Sequence, residues 1–154
     1  MEISLCNKGI KGWSGSVLMI GLLNKNLKSQ LNTLEKDLEF KIEERLKQKN
    51  FTAKSSEIVS FETLTGTPEK IIFLGLGEPE DLALEDFRKA AAAGARNSIG
   101  FEGKIGIYFP WEVFDPKASA IAVGQATRLA LFQDLRFKSK IDSKNIPSQL
   151  DLIN

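Results

Sequence analysis

Lys70-Ile71-Ile72-Phe73-Leu74-Gly75-Leu76-Gly77 decides the fold class of this chain. Ile71, Ile72, Phe73 and Leu74 form an unbroken apolar run, the pattern of a strand covered on both faces. Gly75 and Gly77 follow, and because glycine reaches positive φ without steric cost, a sharp turn is expected there. Pro79, Glu80 and Asp81 suit a helix entry, where proline fits the first turn and carboxylates face the positive end of the dipole. A helix is expected over about 84–98, with Leu84, Phe87, Ala90, Ala91 and Ala95 on one face. Its small residues allow close approach to a sheet. Gly94 costs about 1 kcal/mol against alanine in a helix interior, which points to a packing reason.

The same strand-and-helix alternation extends in both directions. Ile3 and Leu5 alternate with polar residues as a short strand, and Val17, Leu18, Met19 and Ile20 read as a buried one. Asn24 and Asn26 offer cap oxygens for one helix over 27–48. Leu27, Leu31, Leu34, Leu38, Ile42 and Leu46 give that helix an apolar face. Its other face carries the acid-first pairs Asp37–Lys41 and Glu43–Lys47, each worth only about 0.2–0.5 kcal/mol. A strand over 57–61 and the turn Thr65-Gly66-Thr67-Pro68 precede the glycine stretch. After it, Ile105, Ile107 and Phe109 mark another strand. Asp115-Pro116 starts a last helix whose inward face is expected to hold Ala118, Ile121, Ala122, Gln125, Leu129 and Phe132. This order predicts an α/β domain of three αβα layers around a mixed, largely parallel sheet. The domain is expected to occupy 1–138. The polar stretch that follows reads as a linker over 139–154, with Leu150, Leu152 and Ile153 opening a strand that completes elsewhere.

Composition narrows function. The 154 residues suit one domain. Lys plus Arg less Asp plus Glu is 21 − 20 = +1, which gives no basic footprint for nucleic acid. Cys6 is the only cysteine, so an internal disulfide is impossible and a reducing, cytoplasmic setting is expected. The apolar stretch 17–23 is far shorter than the roughly 20 residues that span a bilayer. There is no histidine, which removes the commonest general base and metal ligand.

Candidate chemistry is sparse. Gly75-Leu76-Gly77 can be read as a phosphate cradle or as a plain strand-to-helix turn. It completes neither Gly-x-Gly-x-x-Gly, since residue 80 is Glu80, nor a P-loop, and Glu78, Glu80 and Asp81 would repel phosphate. Glu43–Glu44 and Glu80–Asp81 lie in charge-rich contexts that read as solvated surface. Ser14 and Ser16 lack a base and a nucleophile elbow. Trp13 and Trp111 read as plugs near strand ends, with ligand stacking by Trp111 as the alternative. No catalytic, cofactor-binding or metal-binding residue is assigned.

Trp13-Ser14-Gly15 precedes an apolar strand, Leu74-Gly75-Leu76-Gly77 an alanine helix, and Phe132-Gln133-Asp134-Leu135-Arg136-Phe137-Lys138-Ser139 closes the last helix. In this order the chain resembles the N-terminal domain of the leucine aminopeptidase (cytosol aminopeptidase) family. Phe51-Thr52-Ala53-Lys54 sits where that family has a Phe-x-Gly-Lys-like segment, with Ala53 in place of the glycine. The resemblance implies a macro-domain-like fold placed before a catalytic domain. It implies hexameric exopeptidases using two divalent ions, zinc or manganese, held in the C-terminal domain. The family signatures Asn-Thr-Asp-Ala-Glu-Gly-Arg and Val-Gly-Lys-Gly do not occur here. The reading is therefore a separated accessory and assembly domain, partnered by its own catalytic domain. A macro-like module binding ADP-ribose or a related nucleotide is the alternative, and an independent enzyme is disfavoured.

Overall fold

The structure is a computed structural model that describes residues 1–64, 66–136 and 145–154. The apolar run of the glycine stretch becomes β4 (Lys70–Gly77), buried along nearly its whole length. The other strands are β1 (Glu2–Cys6), β2 (Val17–Leu23), β3 (Ile58–Glu62), β5 (Gly103–Tyr108) and β6 (Pro147–Ile153). The helices are α1 (Leu27–Leu38), α2 (Ile42–Gln48), α3 (Leu84–Asn97) and α4 (Pro116–Arg136), with 3-10 turns at Pro79–Asp81 and Trp111–Val113. One six-stranded sheet has the order β1-β6-β5-β2-β4-β3. Among the described residues, only the β3–β4 pairing is antiparallel.

Alternate residues of each strand face opposite layers. Leu18, Ile20, Ile71 and Phe73 pack with Leu31, Leu34, Ile42 and Leu46 of α1 and α2. Met19, Ile72, Leu74 and Ile107 pack with Phe87, Ala91 and Val123 of α3 and α4. The result is the expected three-layer arrangement, macro-domain-like in its sheet. Gly94 has the packing role its cost implied, since a Cβ there would lie 2.5 Å from Met19 Sδ.

Four expectations are corrected. The helix over 27–48 is two helices. Glu39 takes a left-handed φ of 59° and ends α1, and the Glu35 carboxylate then accepts the N–H of Glu43 in the first turn of α2 at 2.7 Å. Lys41 lies outside both helices, so the Asp37–Lys41 pair loses its helical spacing. Neither Asn24 nor Asn26 caps α1 with its side chain. The Gln30 amide instead reaches back to Leu23 N, Leu23 O and Lys25 O.

The inward face of α4 is the second correction. Ser119, Ala122, Val123, Thr127, Ala130 and Leu131 are buried, whereas Ile121, Leu129 and Phe132 are 49%, 56% and 60% exposed. Small residues face inward because α3 presents small residues too: Ala95 packs with Ala130 and Leu131, flanked by Ala92. Two helices meeting through such faces approach closely, so that Leu131 is buried among alanines while Ile121, Leu129 and Phe132 are left outside. Asp115 does start this helix as expected, accepting the Ala118 N–H at 2.9 Å.

The third correction concerns the last residues. Pro147–Ile153 is no linker but an interior strand, paired with β1 on one side and β5 on the other. The expected boundary at Lys138, and residues 139–144 of the expected linker, lie outside the described residues, as does the end of the Phe132–Ser139 motif. The fourth correction concerns Gly75, which does not turn the chain but continues β4.

Candidate functional site

Two places merit a chemical reading: the glycines of β4, and the C-terminal ends of β5 and β2. At the first, the chain's own segment 53–57 lies on the glycines. The Gly77 N–H donates to Ala53 O at 2.9 Å, the Gly75 N–H donates to Glu57 O at 2.8 Å, and the Ser56 N–H donates to Gly75 O. A Cβ at Gly75 would sit 2.0 Å from Lys54 O. Glycine is needed here for close backbone approach. The two amides that would cradle a phosphate are already bound within the chain. Ala53 holds a φ of 61°, the left-handed region that favours glycine, at the position where the resembled family has glycine.

Glu57 holds the covering segment in shape. Its carboxylate accepts Thr52 Oγ1–H at 2.7 Å, Thr52 N–H at 3.2 Å and Lys54 N–H at 3.1 Å. Burial pushes its pKa up, but these hydrogen bonds and the Lys54 charge outweigh it and bring the carboxyl below its ordinary value. Glu78, Glu80 and Asp81 are exposed beyond the strand, and Glu80 pairs with Lys25 at 3.5 Å.

The second place is the topological switch point. The connection after β2 crosses on the α1–α2 face and that after β5 on the α3–α4 face, so the strand ends part. A cleft of ≈ 280 Å³ opens there, lined by Gly21, Asn26, Ser29, Thr33, Tyr108 and Glu112 among others. Its volume falls just under the roughly 300–1,000 Å³ of small-molecule sites. No lysine or arginine lines it among the described residues. Burial raises the Tyr108 phenol above its ordinary value, and the charges of Asp37 and Glu112 raise it further. A cleft so charged suits a neutral or cationic group, not a diphosphate.

The other sequence candidates are structural or dispersed. Trp111 packs against Phe87 and Phe109, and its Nε1–H donates to Ile153 O at 2.6 Å, so it is a plug. Trp13 is buried, and its Nε1–H donates to Asp151 Oδ2 at 2.9 Å. Ser14 is exposed, and Ser16 Oγ donates to Glu102 O. Glu43 and Glu44 lie at the start of α2, apart from the Glu80–Asp81 turn. Cys6 is free and half-buried at the end of β1. Sequence reading missed Asp151, a buried carboxylate of β6 that also receives Lys104 Nζ at 3.4 Å and Gln149 Nε2–H at 2.9 Å. An acidic residue between Leu150 and Leu152 was the available signal. Among the described residues, no group of three His, Cys, Asp or Glu side chains could hold a metal ion. No described helix is long and apolar enough to cross a membrane.

The N-terminal-domain profile of the cytosol aminopeptidase family matches residues 19–141. This chain belongs to the cytosol aminopeptidase family. It matches a probable cytosol aminopeptidase of Prochlorococcus marinus at 44% identity, over 99% of this chain and 31% of the relative. The chain thus spans about a third of the length of such curated relatives. Among solved structures, a tomato leucine aminopeptidase variant superposes with a TM-score of 0.75 at 18% identity, covering 100% of this chain and 32% of that one. The macrodomain of Thermus aquaticus DarG superposes with a TM-score of 0.54 at 9% identity, covering 99% and 97% of the two chains. These two likenesses are of fold. This member of the cytosol aminopeptidase family therefore carries the N-terminal macro-domain-like fold, with its β4 glycines closed over by its own backbone.

Proposed function

We propose that this chain is the non-catalytic N-terminal domain of a two-metal leucyl aminopeptidase and serves the assembly of a hexameric enzyme. The observation that carries the reading is its match to about the first third of curated cytosol aminopeptidases. Two divalent ions, zinc or manganese, would supply hydrolysis in the remaining part by activating water and polarising the peptide carbonyl. The described residues of this chain do not fit such ions, and the sequence has no histidine. This chain's own contribution is a rigid sheet and its helical surfaces, which orient and join neighbours in a cytoplasmic enzyme. The nucleotide-binding alternative has fold likeness alone. Its glycine amides are taken by the 53–57 segment, and the switch-point cleft lacks a cation.

Peptidase assays test the proposal. The 154-residue chain should release no leucine from leucine amide with manganese or zinc added, whereas the complete reading frame that contains it should. Activity that stays with the short chain through removal of contaminating peptidases would overturn the reading.

A further inference from the structure

We propose that the outer face of α4, continued by the flank of β1, is the docking surface for the larger part of the polypeptide that follows this domain. This rests on the reading of the chain as one domain of a longer aminopeptidase. The first observation is that α4 carries large apolar residues on both its inner and its outer side. Its inner face is buried against the sheet and α3, while Ile121, Leu129 and Phe132 stand outward at spacings of eight and three. No charged residue occurs between Lys117 and Arg128. Its neighbour α3 instead carries Glu85, Arg88, Lys89 and Arg96. Exposed Gln125 and Arg128 share the outer face of α4, so Ile121, Leu129 and Phe132 form an apolar stripe with polar neighbours, the composition of a surface that docks on another.

The second observation is continuity with β1. A Cβ at Gly124 would lie 2.9 Å from Ile3 Cδ1, so β1 runs beneath the flank of α4. Leu5 shares the face of Ile3 and is 67% exposed. Helix α4 returns antiparallel to the strands, which sets Leu5 one turn nearer its start, toward Ile121. At the opposite end, Arg128 Nη2 donates to Met1 O at 3.0 Å beside an open hollow of ≈ 550 Å³ that Leu129 and Phe132 line. The band therefore runs from Ile121 to Phe132.

The third observation selects the occupant. Leu152 is registered with Leu5 and Ile153 with Cys6, and the Asn154 N–H donates to Cys6 O at 2.9 Å, so residue 154 lies two positions beyond Leu5, at the end of the band. The matched relative has about two-thirds of its length outside the matched part. A polypeptide continuing from Asn154 emerges beside this surface, and a domain tethered there has a high effective concentration for it. The near-neutral band suits an apolar protein face.

Hydroxyl-radical footprinting of the complete polypeptide, read by mass spectrometry, tests this without substitution. Leu5, Ile121, Leu129 and Phe132 should oxidise about tenfold more slowly than in the urea-unfolded polypeptide, since a packed interface admits solvent only on opening. Left uncovered at their present exposures, they would slow only about twofold. A twofold slowing would overturn the docking surface. Protection that fades on dilution would assign the face to a second copy and also overturn it. Leucine-amide hydrolysis by the same sample separates the two readings. An active polypeptide with an open band sinks the docking surface alone, and an inactive one with a covered band sinks the aminopeptidase reading alone.

Discussion

Gly75→Ala should lower the melting temperature of this chain by about 10 °C. The added Cβ would meet Lys54 O at 2.0 Å and the Ala53 carbonyl carbon at 2.8 Å. Both are backbone atoms, so no side chain can swing aside and the 53–57 segment must lift. Overpacking of this kind costs about 1–3 kcal/mol. Lifting also weakens the bonds from Gly75 N–H to Glu57 O and from Gly77 N–H to Ala53 O, each worth roughly 0.5–1.5 kcal/mol. The sum centres near 3–4 kcal/mol, and a domain of this size loses about 2–4 °C per kcal/mol. Gly124→Ala is the control. Its Cβ meets only the tip of Ile3, and alanine returns about 1 kcal/mol of helix propensity. Circular dichroism melts of the two variants and the parent at equal concentration give the comparison, with calorimetric titration of ADP-ribose alongside. If Gly75→Ala melts with the parent while abolishing an ADP-ribose affinity that the parent shows, Gly75 serves a ligand and the steric reasoning is wrong.

Asp151→Ala should cost about 3 kcal/mol in urea unfolding, because it leaves the buried Trp13 Nε1–H unpaired and breaks the Lys104 contact. Asp151→Asn keeps an acceptor for Trp13 and should cost less; equal losses would show that the hydrogen bond contributes nothing. Glu57→Gln should destabilise at neutral pH, and the gap to the parent should close as the solution is acidified. The folded pKa of Glu57 lies below its ordinary value, so its stabilisation is full above the unfolded pKa and is lost as pH falls through the folded one. A gap that stays constant between neutral pH and the acid range would remove Glu57 as its source.

The sheet was legible where local pattern and burial agree. Apolar runs over 17–20 and 71–74, bounded by turn residues, lie in strands covered on both faces, and Asp115-Pro116 starts a helix by its own chemistry. The break at Glu39 was not legible, because Leu31, Leu34, Ile42 and Leu46 face one core on either side of it and keep the helical period across the gap. The inward side of α4 was misread because hydrophobic size was taken as the guide, whereas most of its buried residues are small and Ala130 meets Ala95 of α3. Strand β6 was hidden by Gln149 and Asp151. The partners that make a buried Asp151 tolerable include Lys104 and Trp13, the latter 138 residues earlier in the chain. The candidate site suffered the same blindness to distance. Gly75-Leu76-Gly77 resembles a ligand turn until the segment lying on it is known.

The placement of β6 between β1 and β5 also sets a timetable for synthesis. Strand β1 is made first, yet its sheet partner is β6, which begins at Pro147. At about 5–20 residues per second, β1 waits on the order of ten seconds before that partner is made. During this interval the β2–β4–β3 ribbon and then β5 can assemble beneath their helices, but the opening residues have no edge to join. The newborn chain therefore carries Ile3 and Leu5 as an unpaired apolar strand through most of its translation. That exposed interval is when a nascent-chain chaperone would find it, and a ribosome stalled before Pro147 would leave a sheet of four strands with a loose N-terminus.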